Sequence, residues 1–134
     1  MDRDLSEIYR GYIDCLNRQD WQTLGDFVGA EVVYNDRTVG LDGYRDMLVE
    51  DFRAIPDLRF TIELLVVEPP TVASRLAFDS TPTGELFGLP VNGKRVRFSE
   101  NVFYRFAAGR IVRVWSIIDK AAIERTCVDG CEGL

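Results

Sequence analysis

The sequence contains no histidine at all, and this absence narrows the chemistry open to the protein. A Ser-His-Asp or Cys-His triad needs an imidazole as its general base, so neither triad is available. A zinc or iron centre with histidine ligands is excluded for the same reason. General acid/base work must therefore fall to Asp, Glu, Tyr, Lys or Cys side chains.

Cysteine is also scarce, with three residues at positions 15, 127 and 131. An odd, unevenly spaced set of three is too small for a disulfide framework. Cys127 and Cys131 are close enough in sequence to bridge or to chelate, but a soft metal site would need further Cys or His ligands. We therefore expect no metal site.

Long apolar runs and clustered positive charge are missing as well. No apolar run approaches the roughly 20 residues that span a bilayer, and residues 1–6 lack the apolar core of a secretory signal. The formal net charge of −6 argues against a nucleic-acid partner, because counterion release requires a clustered basic surface. We expect neither a membrane nor a nucleic acid as partner, and the cytosol is the default location.

The order of the periodic segments predicts the fold class. A chain of 134 residues, 46% of them hydrophobic, favours one domain over residues 1–134. Helical spacing runs from Leu5 to Leu16 and again from about Gly40 to Pro56, with a short helix expected near Asp20. From Leu58 onward the period changes to two. This order predicts an α+β fold in which helices pack on one face of a strongly curved, mostly antiparallel sheet, which leaves a cone that can hold a ligand.

A long hairpin from Lys94 to Asp119 carries the most informative residues. Period two places Glu100 within an otherwise apolar face that includes Phe98, and a carboxylate there needs a reason. On the returning strand the same period puts Trp115 and Asp119 in one register. We interpret the hairpin as the back wall of a pocket with Glu100 and Asp119 as its polar groups.

Each of these residues also has a purely structural explanation. Glu100 could pair with Arg75 or Arg113 within the sheet. Asp119 could cap the helical turn that begins at Lys120. Trp115 could be a core residue that fills apolar volume.

Three further features complete the candidate set. Residues 81–93 are rich in turn formers yet carry Phe87, which suggests a loop that folds over the sheet and covers something. Tyr9 and Tyr12 lie on the apolar face of the first helix, where a hydroxyl could reach the cavity or serve only the core. Asp36 follows the first strand as part of an Asn-Asp pair, which is commonly a turn.

Two segments carry a family resemblance. Residues 75–95, which include Phe87-Gly-Leu-Pro-Val-Asn-Gly-Lys94, and residues 109–119, with Gly-Arg-Ile-Val-Arg-Val-Trp, resemble the SnoaL-like polyketide cyclase and ester cyclase family. This family lies within the nuclear-transport-factor-2-like (NTF2-like) superfamily. The resemblance covers nearly the whole chain, and the loop motif is its more specific part.

The resemblance implies a cone-shaped α+β barrel that forms a homodimer through its sheet. It also implies an intramolecular aldol closure performed without metal or cofactor on a small apolar molecule held in the cone. Asp119 matches the acid/base aspartate of the cyclases, with Tyr9, Tyr12, Trp115, Arg75, Phe87 and Phe98 as candidate substrate contacts. Relatives often carry histidines where this chain has Pro82 and Val114, and several superfamily members place a pocket acid at the position of Asp36. We therefore assign acid/base work to Asp119, Glu100 and Asp36.

Two other functions remain open on the same fold. The cavity could sequester a hydrophobic small molecule without turning it over. The pair Arg75 and Asp79 resembles, at a different spacing, the Arg-Asp pairs of limonene epoxide hydrolase, which would indicate an epoxide hydrolase or dehydratase. Substitution of the pocket acids distinguishes an enzyme from a binding protein.

Overall fold

The structure is a computed structural model that describes residues 4–132, and the side chains only as far as residue 126. The side chains of Cys127 and Cys131 therefore lie outside the described part. The helices are α1 (Leu5–Asn17), α2 (Gly40–Ala54) and α3 (Lys120–Glu132), with a short 3₁₀ turn at Leu24–Asp26. The strands are β1 (Val28–Tyr34), β2 (Arg37–Thr38), β3 (Thr61–Glu68), β4 (Thr71–Ser80), β5 (Glu85–Leu86), β6 (Leu89–Pro90), β7 (Val96–Ala107) and β8 (Arg110–Ile118).

Six strands form one curved sheet in the order β2-β1-β8-β7-β4-β3. Strands β1 and β8 are parallel, and the other neighbouring strands are antiparallel. Strands β5 and β6 form a small separate hairpin. Three helices with a mostly antiparallel curved sheet confirm the predicted α+β fold class.

Helix α1 shows why the first segment folds as predicted. Its N-cap is Asp4, whose carboxylate accepts a hydrogen bond of 3.0 Å from the backbone N–H of Ser6. Its apolar face is buried, and the ring of Tyr9 packs 5.0 Å from that of Tyr104 on β7. Helix α1 thereby covers the inner face of the sheet.

Two β-bulges change which residues face inward. Val112 is the extra residue in β8, because Ile111 pairs with Phe106 whereas Arg113 pairs with Arg105. After this bulge Val114 points into the core, at 1% exposure, and Trp115 points to the outer face of the sheet. Glu63 is the extra residue in β3, and the residues after it likewise change the face of the sheet to which they point.

The bulge in β3 corrects the predicted alternation of that strand. Period two counted from Leu58 places Leu64 and Val66 on the inward face, but their exposures are 59% and 55%. Leu65 and Val67 pack against the core instead. Each bulge shifts the pairing by one residue and therefore moves the rest of the strand's side chains to the opposite face.

None of the helices in the described part of the chain combines enough length with enough apolar character to cross a bilayer.

Candidate functional site

The main cavity lies between α2, the inner face of the sheet and the β5–β6 hairpin. Its volume is about 510 Å³, within the range of small-molecule sites. Deeper in the cone it continues into a narrow space of about 50 Å³ that contacts tyrosine rings. The lining residues of the main cavity are Tyr34, Gly43, Asp46, Met47, Glu50, Asp51, Ile55, Leu58, Phe60, Phe78, Phe87, Phe98, Glu100 and Ile118.

A row of phenylalanine rings forms the apolar part of this cavity. Phe78 and Phe98 stack at 4.9 Å between ring centroids, and Phe60 meets Phe78 edge-on at 5.3 Å. Such contacts fix flat, apolar surfaces in place. The row suits a flat, unsaturated or aromatic ligand.

Phe87 closes the row at the tip of the β5–β6 hairpin. Its φ is 50° and that of Gly88 is 81°, so both turn residues are in the left-handed region used by tight hairpins. A bulky residue there is unusual. The turn places the Phe87 ring edge-on to Phe98 at 6.2 Å, so the predicted covering loop reaches the cavity.

Glu100 occupies the predicted place on the inner face of β7. Its cross-strand neighbours are Leu76 and Ile118, and Ser116 donates a short hydrogen bond to Oε2. Burial raises the pKa of Glu100 above its usual value, although the Ser116 hydroxyl opposes this. Neither Arg75 nor Arg113 pairs with it, so the salt-bridge alternative is not what the structure has.

Asp51 on α2 is, after Glu100, the second cavity carboxyl with a raised pKa, and the sequence pattern alone did not identify it. No hydrogen bond or ion pair to its carboxylate is found among the described residues. Asp51 is exposed to solvent and lines the cavity. Partial desolvation at the cavity wall, followed by the charge of Glu100, raises the pKa of Asp51 to about 7.

A signal for Asp51 was present in the sequence. Asp51 follows Tyr44 by seven residues, Met47 by four and Leu48 by three, which is the spacing of one helix face. It therefore interrupts an apolar helix face as Glu100 interrupts an apolar strand face. Ser116 escaped notice because the bulge at Val112 decides that it points inward.

Tyrosine hydroxyls surround the deep end of the cavity. The hydroxyls of Tyr12 and Tyr44 are 2.6 Å apart, and Tyr9 donates to Tyr104 at 3.3 Å. Burial raises the pKa of Tyr9 to about 12 and those of the other three further above the usual value, so all four stay protonated near neutral pH. Tyr12 contacts the deep space directly, whereas Tyr9 lies behind it.

The structure places Asp119 and Trp115 outside the main cavity, which corrects the predicted pocket face. The backbone N–H of Ala122 donates to the Asp119 carboxylate at 3.2 Å, so Asp119 caps α3. It also borders a depression that is lined mainly by outer-face residues. Trp115 pairs with Phe103 on the outer face, under the guanidinium of Arg113. Because of the bulge at Val112, Trp115 does not share the inward face of Ile111, as strict alternation along β8 would require.

Asp36 and Arg75 also lie away from the cavity. Asp36 sits in the tight turn between β1 and β2 with φ of 67° and forms an ion pair of 2.8 Å with Arg113. Arg75 lies on the outer face within 3.4 Å of Glu63. Asp79 pairs with Arg95 rather than Arg75, so no Arg-Asp pair of the epoxide hydrolase kind is formed between them.

The fold and the cavity define a class: an NTF2-like α+β cone with an aromatic pocket in which two of the carboxyl groups have raised pKa values. Comparison with known proteins gives the family. SnoaL-like polyketide cyclases match residues 6–127, and the chain belongs to this family. No curated protein sequence matches the chain.

Solved structures agree with this assignment. A SnoaL-like polyketide cyclase from Agrobacterium tumefaciens is 53% identical, with a TM-score of 0.91 over 92% of this chain and 98% of that one. IdmH from Streptomyces antibioticus shares the fold at 20% identity, with a TM-score of 0.81 over 92% of this chain and 98% of that one. TsrD from Streptomyces laurentii also shares it at 22% identity, with a TM-score of 0.81 over 95% of this chain and 97% of that one.

Proposed function

We propose that the protein is a cofactor-independent enzyme of the SnoaL-like type that removes a proton beside the carbonyl group of a small, largely apolar compound. The observation that carries this proposal is the pair of carboxyls with raised pKa values, Asp51 and Glu100, in one aromatic cavity. Carboxyl groups shifted towards neutrality are suited to acid/base catalysis near neutral pH.

Their surroundings suggest different roles for the two groups. Asp51 is reached by solvent, so it can release to water the proton that it takes from the substrate, and a pKa of about 7 suits a general base. Glu100 lies between Leu76 and Ile118, where burial raises its pKa. When protonated, it would donate a hydrogen bond to the carbonyl oxygen and stabilise the developing enolate.

The enolate so formed would attack a second carbonyl carbon in a cyclase, or be protonated elsewhere in an isomerase. In either case one proton leaves the substrate carbon for Asp51, and one proton is added to the product, on the new alkoxide oxygen in a cyclase or on another carbon in an isomerase. The tyrosine hydroxyls at the deep end offer further donors to substrate oxygens. Tyr12 and Tyr44 share one hydrogen bond, which leaves one of their two protons free to donate.

Proton abstraction can be tested without knowledge of the natural substrate. We would incubate the protein with 2-tetralone in deuterated water and follow loss of the α-proton signals by NMR. The proposal expects exchange above the buffer rate that saturates with protein. Binding of the ketone without faster exchange would instead assign the cavity to sequestration.

We also propose that two copies associate through the outer face of the sheet. Pairing in register aligns Val66, Ala73, Phe103 and Trp115 across four strands. Beside this row Ile117 is 72% exposed and Phe103 is 53% exposed. An apolar strip of this kind on a soluble protein marks an interaction surface.

Substitution of Ile117 by Lys tests this dimer. A charge at the centre of an apolar two-fold interface enters it twice, so we expect the dimer dissociation constant to rise at least about tenfold. Light scattering across a dilution series measures the change. Gln22→Lys adds the same charge at an exposed site away from the sheet and should leave the mass unchanged. A monomeric wild-type protein, or equal masses for both variants, would contradict the proposal.

A further inference from the structure

The charges around the main cavity all have one sign. Its lining includes four carboxyl side chains and, among the described lining residues, no Lys or Arg. Among the described residues that line the deep extension, the carboxyl groups are Asp51 and Glu100, the other polar groups are tyrosine hydroxyls, and there is again no Lys or Arg. An anionic ligand would meet no countercharge and would be repelled by every ionised carboxylate.

Neighbouring cations do not neutralise this set. Glu50 pairs with Arg53 on the exposed side of α2, which accounts for one carboxylate. Asp46 and Asp51 have no ion pair in the described part of the chain, and the hydrogen-bond partner of Glu100 is the neutral Ser116. The cavity therefore retains negative charge, from Asp46 and from Asp51 once it is ionised, that a ligand can satisfy.

The walls also favour positive charge. The faces of aromatic rings attract cations, and Phe60, Phe78, Phe87, Phe98 and Tyr34 all line the space. Aromatic walls combined with unpaired carboxylates form the kind of site that holds an ammonium group on an apolar frame.

We infer that the cavity selects its ligand by charge: it binds a flat aromatic compound that carries a protonated amine in preference to the neutral isostere, and it excludes the corresponding carboxylate. This inference concerns the ligand class. It deepens the proposed function by restricting the substrate, yet it is measured by binding alone and stands or falls independently of turnover.

Calorimetric titration with three probes of one shape tests the inference. The probes are 2-naphthylmethylamine, 2-naphthylmethanol and 2-naphthoate. We expect the amine to bind at least about fivefold more tightly than the alcohol, and the carboxylate at least about tenfold more weakly than the alcohol. Equal affinities for amine and alcohol, or a carboxylate that binds as well as either, would overturn the inference.

The pH dependence identifies the charge responsible. The titratable groups that face Asp51 are Asp46 and Glu50 on α2, Glu100 on β7, Tyr34 on β1, Tyr44 on α2, and Tyr12 and Tyr104 at the deep end. An alkylamine stays protonated between about pH 6 and about pH 8, while Asp51 ionises in this interval. Amine affinity should therefore rise about fivefold or more across the interval, and alcohol affinity should stay constant. A pH-independent amine affinity would count against the inference.

Two matched variants complete the test. Asp51→Asn removes a carboxyl from the cavity and should weaken amine binding at least about fivefold at about pH 8, with little change for the alcohol. Asp42→Asn makes the same change on the same helix, at an exposed position paired with Arg45, and should not alter amine binding. An equal effect of the two variants would show that general surface charge, and not the cavity, attracts the amine.

Discussion

Asp51→Asn should lower the α-proton exchange rate of a ketone probe by about 10²- to 10⁴-fold, the usual contribution of a general base. The amide has nearly the same shape as the carboxyl group but cannot accept a proton at neutral pH. Among the described residues Asp51 has no hydrogen bond or ion pair that the fold would lose, so the variant should unfold at about the temperature of the wild type. NMR exchange rates at saturating probe, with thermal unfolding measured in parallel, check both expectations.

The control is Asp42→Asn, on the same helix but outside the cavity. It should keep the wild-type exchange rate. A different comparison challenges the role assigned to Asp51. If Asp119→Asn abolished exchange while Asp51→Asn preserved it, the chemistry would belong to the residue that the family resemblance indicates, and our assignment would be wrong.

Of the substitutions considered, Phe98→Ala should lower the free energy of unfolding most. Phe98 is 7% exposed, stacks on Phe78 and meets Phe87, so its removal leaves a hole in the aromatic row. Large-to-small changes of this kind cost about 3 to 5 kcal/mol of unfolding free energy. We expect probe affinity to fall in the same variant, because a wall of the cavity is lost. Urea unfolding and calorimetric titration measure the two effects.

Phe103→Ala is the matched control on the same strand. Phe103 points to the outer face, so its loss should cost about 1 kcal/mol or less and leave probe affinity unchanged. Because Phe103 belongs to the proposed dimer surface, unfolding is compared at the same protein concentration. If the two variants lost equal stability and affinity, Phe98 would have no special part in the cavity wall.

The regular strand β7 explains why part of the site could be predicted. Its pairing with β4 runs from Val96 to Arg105 without interruption, so period two correctly put Phe98 and Glu100 on the inner face. The residue that breaks an apolar pattern was therefore a sound guide here. The class of fold followed for a similar reason, because the helical and strand segments are long and clearly periodic.

The bulges explain why the rest could not be predicted. A single extra residue at Val112 reverses the faces of β8 and sends Trp115 outward, yet neither Val112 nor its neighbours signal a bulge. Ile111 and Val114 are core residues of opposite parity, and Val112 lies between them. Only the pairing with β7 shows where the register changes. Asp119, which follows β8, caps α3.

Asp51 was missed for another reason. Helical spacing identifies the α2 face from its apolar members alone. Since a carboxylate on a helix is usually solvated, Asp51 does not stand out in the sequence. Its importance depends on the sheet curving to place Glu100 against the same cavity. That juxtaposition joins residues almost fifty positions apart in sequence, and spacing within one segment does not reveal it.

Titration of the carboxyl groups by carbon-13 NMR shows whether the cavity holds two acids with raised pKa values, on which the proposed function depends. We expect one aspartate that titrates near pH 7 and disappears in Asp51→Asn, and one glutamate that titrates above its usual range. In Glu100→Gln the pKa of Asp51 should fall, because the charge of Glu100 helps to raise it. If the signals assigned to Asp51 and Glu100 titrated in the ordinary acidic range, the cavity would lack its acid/base pair and the proposed function would be contradicted.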